Sequence, residues 1–178
     1  MIQFLRETMV VRASRFNTIL AMVLLASLVT GCQSTKKKKE ASIIRLHLET
    51  NRDGTESNFP VGIGKDKSFS VQIEKRPFLD EGHVQKATVV DDIGGFQIEL
   101  QFDRQGTWLL EQYTTANKGR RVAIYSQFGQ ERWLGAPVIK QRVADGKYAF
   151  TPDVSREEAD RLVRGLNKVA TTLDDNRK

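Results

Sequence analysis

Cysteine is almost absent from this chain. Cys32 is the only cysteine among 178 residues, so no disulfide can form within the chain, although disulfides are common in exported domains. A fold without such a cross-link has to be held together by packing and hydrogen bonds. Apolar residues make up 39% and charged residues 28% of the chain, which are ordinary proportions for a domain with one hydrophobic core.

Long hydrophobic runs are missing as well. The apolar stretch from Thr18 to Val29 has about twelve residues, whereas a helix needs about 20 to span a bilayer. Arginines precede this stretch and small residues follow it, as in a secretory signal. The quartet from Val29 to Cys32 resembles the lipobox of bacterial lipoproteins, which implies cleavage before Cys32 and acylation of that residue, for example with palmitate. A buried free thiol and an uncleaved membrane anchor remain open as alternatives.

A net excess of positive charge is missing outside the N-terminal part of the chain. The net charge is +6, but the predicted leader and the run Lys36, Lys37, Lys38 and Lys39 account for all of it. A basic face for nucleic acid is therefore not supported. The lysines form a membrane-proximal basic tether, which either contacts an anionic lipid surface or serves as a solvated spacer. By resemblance to other lipoproteins, Gln33 implies sorting to the outer membrane, facing the periplasm.

Residues that carry catalytic or metal chemistry are few. His47 is predicted on the polar face of a strand and His83 in a loop, and neither has a histidine or cysteine at a metal-binding spacing. We predict that both are solvated. Asp91 and Asp92 are adjacent on a strand, which directs them to opposite faces and disfavours a carboxylate pair. The sequence therefore predicts no metal, no cofactor and no enzymatic activity.

Alternating apolar residues predict several short strands, which begin at Ile43, Phe69, Val84, Phe96, Val122, Arg132 and Tyr148. Thr50 to Asp66 contains one proline and several glycines, and it is predicted as a long surface loop. Asp80 is expected to cap a short helical turn. Asp103 and Ser155 are expected to cap two amphipathic helices, the second through a capping box with Glu158.

This order of elements predicts an α+β fold. We expect one mixed, mostly antiparallel sheet with two helices packed on one face, in which a strand-helix-strand unit allows one parallel pair. The predicted organisation is a signal peptide over 1–31, a lipidated cysteine and tether over 32–42, a domain over 43–173 and a frayed tail over 174–178. Three residues are candidate contacts for a partner: Phe59, Trp133 and Pro137.

Several short motifs share their order and spacing with one family. They are Gly94-Gly95-Phe96, the stretch from Thr114 to Val122, Gly135-Ala136-Pro137-Val138-Ile139, Phe150-Thr151, Glu157-Glu158-Ala159 and Leu166-Asn167. With them, the chain from Phe78 onward resembles the head subdomain of the first periplasmic domain of SecD, a membrane subunit of the bacterial protein-export machinery. The charged stretch from Lys140 to Lys147 stands where that family has a glycine-rich segment.

The resemblance implies a head that contacts translocating polypeptide outside the cytoplasm. Our first hypothesis is a non-enzymatic, lipid-anchored module of the cell envelope that binds extended polypeptide or export proteins through an exposed sheet edge. The alternative is a structural envelope lipoprotein that uses the same fold to bind an envelope partner, unrelated to export. In that case the segment from Thr50 to Asp66 is the candidate contact.

Overall fold

The computed structural model describes residues 42–51 and 57–176. The predicted signal peptide, Cys32 and the Lys36–Lys39 tether lie outside these ranges. The described elements, in chain order, are β1 (Ile43–Leu48), β2 (Asn58–Ile63), β3 (Phe69–Glu74), β4 (Leu79–Asp80), β5 (Val84–Asp92), β6 (Gly95–Phe102), α1 (Arg104–Ala116), β7 (Val122–Phe128), β8 (Gln130–Gly135), β9 (Lys147–Phe150) and α2 (Arg156–Asn176). A 3-10 turn, Glu81–His83, separates β4 from β5. Of the helices in the described ranges, none has the length and apolar character needed to cross a bilayer.

The described strands divide among three sheets. A four-stranded sheet has the order β4-β1-β7-β8, β2 and β3 form a two-stranded sheet, and a three-stranded sheet has the order β5-β6-β9. Every strand pairing described is antiparallel. The α+β class is confirmed, but the expectation of a single sheet is wrong. No parallel pair forms across α1, because this helix joins β6 to β7, which belong to different sheets.

Two apolar clusters hold these sheets together. The larger cluster combines side chains of the four-stranded sheet, the three-stranded sheet and both helices, including Ile44, Leu100, Leu110 and Leu166. The smaller cluster lies between the two-stranded sheet and the other face of the four-stranded sheet, and its members are Val61, Ile63, Val71, Ile73, Ala123 and Ala136. The β2–β3 hairpin thus covers β1 on the side that the sequence pattern predicts to be solvated.

The predicted loop from Thr50 to Asp66 is partly wrong, because residues 58–63 form β2. Proline cannot donate to a sheet ladder, but both strands of a two-stranded sheet are edges, so Pro60 fits there. Residues 52–56 lie outside the described ranges. The predicted caps are confirmed: Asp80 accepts from the Gly82 N–H at 3.0 Å and Asp103 from the Gly106 N–H at 2.7 Å. In the capping box, the Glu158 N–H donates to Ser155 Oγ at 3.3 Å, and the Ser155 N–H donates to Glu158 Oε2 at 3.1 Å.

Candidate functional site

A groove lies between two arms of the chain that follow β8. The first arm is the segment 136–143, and the second arm is β9, to which the chain returns through residues 144–146. The space between them has a volume of about 480 Å³, within the range of ligand-binding clefts. The groove is lined by Gln97, Thr114, Pro137, Val138, Ile139, Lys140, Gln141, Val143, Lys147, Tyr148, Ala149, Phe150 and Thr151.

The first arm pairs with the start of β7 along the side of the arm that faces away from the groove. The Val122 N–H donates to the Pro137 carbonyl at 2.9 Å, and the Ile139 N–H donates to the Arg120 carbonyl at 2.8 Å. These two bonds flank the bridge between Arg121 and Val138. Arg121 and Val138 are thus a non-hydrogen-bonded antiparallel pair, in which the backbone N–H and C=O of each residue point away from the other strand. The N–H and C=O of Val138, which is 38% exposed, therefore point toward the groove.

The second arm is an edge strand whose outer side also faces the groove. Strand β9 pairs only with β6 among the described strands. The Phe102 N–H donates to the Gly146 carbonyl at 2.9 Å. This bond shows which alternate residues along the second arm have their backbone groups directed toward β6. Backbone groups alternate in direction along an antiparallel strand, so those of Tyr148 and Phe150 bond to β6. The N–H and C=O of Ala149 consequently point outward.

No hydrogen bond between the two arms is found in the described part of the chain. The groove is closed at one end, where the Asp153 N–H donates to the Leu134 carbonyl at 2.7 Å. At the other end, the Val143 N–H donates to Thr114 Oγ1 at 3.0 Å. Two strand edges, represented by Val138 and Ala149, thus face one space without pairing across it.

Helix α1 positions the first arm. Thr114 is buried on α1, and its hydroxyl donates to the Leu110 carbonyl at 2.7 Å while it accepts from Val143. One turn earlier, Glu111 forms a salt bridge with Arg142 of the arm. One hydroxyl and one carboxylate of the helix therefore fix the end of the first arm to α1.

The lining of the groove combines apolar side chains with cations. Ile139, Tyr148 and Phe150 are buried, and burial raises the pKa of the Tyr148 phenol, so this side chain is neutral at physiological pH. Lys140 and Lys147 are the charged residues of the lining. In the described residues no group of three or more histidine, cysteine, aspartate or glutamate side chains is suited to hold a metal ion. The arrangement offers backbone hydrogen bonding and apolar contact.

The three candidate contact residues occupy different places. Pro137 lines the groove. Trp133 lies on β8, half-buried against the smaller apolar cluster, with its ring 5.3 Å from the rings of His47 and Tyr125. Phe59 lies on β2 and is 37% exposed. Of the three, only Pro137 contributes to the groove.

The prediction that His47 is solvated is wrong. His47 is 6% exposed, and its Nδ1 lies 2.9 Å from the Glu74 carbonyl oxygen. Desolvation lowers the pKa of this imidazole, with a smaller contribution in the same direction from Arg45. The alternation along β1 indicates a polar face correctly, but the β2–β3 hairpin covers that face. His83 is half-buried, with Nδ1 3.0 Å from Asp80 Oδ1.

The reasoning from sequence missed Val138, Ala149 and Thr114 as residues of the site. None of them carries a side chain typical of catalysis or ligation, because Val138 and Ala149 contribute through their backbones. The sequence did indicate the short strand at Tyr148 to Phe150 that forms the second arm. The sequence did not indicate that this strand lies at a sheet edge, because the local alternation of apolar residues does not show which strands pair.

Comparisons with known proteins show related folds. The family model described as SecDF, P1 head subdomain, matches residues 57–170, a range that includes the groove. A solved structure of SecDF, described as a membrane component that enhances protein export, has a TM-score of 0.54 and 19% identity over 72% of this chain and 63% of its own. SecDF in its Super-membrane-facing form has a TM-score of 0.52 and 22% identity over 72% of this chain and 19% of its own.

The chain thus spans less than two thirds of the length of these two structures. At such identities the likeness to them concerns the fold. A search of curated proteins found no match.

Proposed function

The chain belongs to the SecDF P1 head subdomain family, and from this premise we propose that it is a non-catalytic module that binds extended polypeptide in connection with protein export. The observation that carries the proposal is the outward-facing backbone of Ala149 on the free edge of β9, opposite Val138 across the groove. An extended segment placed between the two arms could form backbone hydrogen bonds with both of them, where the arms form none with each other.

Binding of this kind does not depend on a defined peptide sequence. Main-chain hydrogen bonds give the affinity in strand addition, and pockets for alternate side chains give limited specificity. Each net hydrogen bond contributes about 1 kcal/mol, so a few of them, with the apolar lining, produce weak and reversible binding. Weak binding that tolerates many sequences suits a module that contacts chains in transit.

Replacing Ala149 by proline tests the proposal directly. The Ala149 N–H points away from β6, so Ala149→Pro leaves the β6–β9 ladder bonds intact and removes the donor that faces the groove. We expect binding of a fluorescent, unstructured peptide, measured by anisotropy with the full chain in detergent, to fall at least about fivefold. Ala149→Val, which keeps the N–H, is the matched control and should bind like the unchanged protein.

A second comparison uses the ligand rather than the protein. A peptide methylated on alternate backbone nitrogens cannot donate along one edge, so we expect it to bind more weakly than the unmethylated peptide of the same sequence. Equal binding of the two peptides, together with unchanged binding by Ala149→Pro, would refute strand addition in this groove.

We further propose that Cys32 carries lipid and that the Lys36–Lys39 tether connects this anchor to the domain in the cell envelope, outside the cytoplasm. The support is the lipobox-like quartet that ends at Cys32, preceded by a short apolar stretch. Gln33 favours the outer membrane, facing the periplasm. The intact mass of the protein purified from membranes is the test: a chain that begins at Cys32 and carries acyl groups is expected, whereas a chain that retains Met1 would contradict the proposal.

A further inference from the structure

We propose that the groove prefers extended segments whose acidic side chains flank an apolar centre. This inference rests on the proposed function and specifies the class of polypeptide that the groove takes. It follows from the charged side chains that line the groove, which are both lysines although the domain as a whole is nearly balanced.

The charged side chains that line the groove are both lysines. Lys147 on β9 lies 3.7 Å from Glu99 on the neighbouring strand, and both remain partly exposed. Lys140 on the first arm is exposed. No carboxylate belongs to the lining. An occupant with a carboxylate beside the first arm would therefore meet the unpaired Lys140, whereas Lys147 on the second arm is already paired with Glu99.

The pairing of the first arm brings two more cations alongside. The Gly119 N–H donates to the Ile139 carbonyl at 2.9 Å, and the Ile139 N–H donates to the Arg120 carbonyl at 2.8 Å. The turn that contains Lys118 and Arg120 is thereby placed next to Lys140. We call Lys118, Arg120 and Lys140 the basic rim; all three are exposed.

The basic rim is not neutralised by the described residues around it. Among residues 42–51 and 57–176, no carboxylate oxygen lies within 4.0 Å of a charged nitrogen of these three side chains. The nearby Arg142 is different, because Glu111 of α1 pairs with it. Arg121 is also engaged, with its guanidinium 5.5 Å from the Phe69 ring centre and a hydrogen bond to the Ala136 carbonyl.

Exposed charges of this kind act mainly on association and are screened by salt. Each favourable pair at an exposed rim changes affinity by about one- to fivefold. Three such positions predict roughly tenfold tighter binding of an acidic than of a basic peptide at low ionic strength. At about 1 M salt, where the screening length is about 3 Å, the preference should largely vanish.

The test uses two peptides with the same alternating valine–threonine centre, one flanked by aspartates and the other by lysines. We expect the full chain in detergent to bind the acidic peptide about tenfold more tightly at low salt. Lys118→Gln combined with Lys140→Gln should reduce this ratio to about threefold or less. The matched control is Lys168→Gln, an exposed lysine on α2 outside the groove lining, which should leave the ratio unchanged.

The outcomes separate this inference from the proposed function. If both peptides bind equally and respond equally to salt, the charge preference is overturned while polypeptide binding stands. If neither peptide binds, the proposed function itself fails and the inference fails with it. If inorganic polyphosphate displaces the acidic peptide at the same charge concentration, the rim recognises any polyanion and the preference for acidic polypeptide is overturned.

Discussion

The Val143 N–H donates to the hydroxyl of Thr114 at 3.0 Å, which joins the end of the first arm to the last turn of helix α1. The same hydroxyl donates to the Leu110 carbonyl at 2.7 Å. One buried side chain thus serves the helix and the groove wall together. Because no hydrogen bond joins the two arms in the described residues, this contact and the Glu111–Arg142 salt bridge fix the end of the first arm.

Replacement of Thr114 by valine is expected to loosen the groove wall. The change conserves shape but leaves the Val143 N–H without its acceptor, at a cost of about 1–3 kcal/mol in the free energy of unfolding. Peptide affinity should fall as well, because the arm is no longer fixed. Thr115→Val is the control: Thr115 makes the same kind of helix bond, to the Glu111 carbonyl at 2.7 Å, but its side chain is exposed. Chemical denaturation and peptide anisotropy measure the two effects, and equal loss in both variants would contradict this role of Thr114.

Much of the local structure was predictable because it depends on neighbours in sequence. Asp103 and the Ser155–Glu158 capping box act within three residues, and the alternation along β6 directs Ile98 and Leu100 to the core. The family resemblance from Phe78 onward is confirmed, and the match begins earlier, at residue 57. It therefore includes the β2–β3 hairpin, where Pro60 and the glycines had indicated a loop.

The groove was not predictable for the opposite reason. Its two strand edges depend on which strands pair, and the partner of β9 is β6, about 50 residues earlier in the chain. Alternation fixes which face of a strand is buried, but it does not tell whether a neighbour lies on each side. The same limit explains His47, whose polar face is covered by a hairpin that begins ten residues after β1 ends.

Gly146 is expected to tolerate no side chain. Its φ is +72°, and a Cβ there would overlap Thr107 Oγ1 on α1. Gly146→Ala should destabilise the fold by about 1–2 kcal/mol for the left-handed backbone and by about 1–3 kcal/mol more for the overpacking. Gly129 provides a matched control, since it has the same φ of +72° and a Cβ added there would have nothing within 4 Å. Thermal unfolding of Gly146→Ala and Gly129→Ala measures the loss of stability in each, and the difference between them is the steric contribution at Gly146. Equal losses of stability would show that α1 adjusts to the added Cβ without cost.

His47 is expected to make stability depend on pH. Desolvation lowers its pKa in the folded state, whereas an unfolded chain has a value near 6.5. The unfolded state therefore binds the proton more readily than the folded state. The contribution of His47 to the free energy of unfolding is complete above about pH 6.5, and it is lost as the pH falls toward the folded pKa. The slope reaches at most about 1.4 kcal/mol per pH unit. The test is to measure the free energy of unfolding of the unchanged protein and of His47→Gln between pH 7.5 and 5. Both proteins retain His83, so the difference between them reports on His47. A slope that the substitution leaves unchanged would contradict the prediction.

Substitution of Cys32 by serine is expected to remove the lipid without affecting the fold. The domain has no disulfide to lose, because Cys32 is the only cysteine, and the described clusters of buried residues begin after it, at Ile44. We therefore expect Cys32→Ser to lose labelling by a palmitate analogue and to keep the unfolding midpoint of the domain. A single acyl chain gives only marginal membrane binding, whereas two or more anchor firmly, so the number of acyl groups in the mass of the unchanged protein is the companion measurement. Labelling that persists in Cys32→Ser would place the lipid elsewhere, and a shifted midpoint would show that Cys32 packs in the fold.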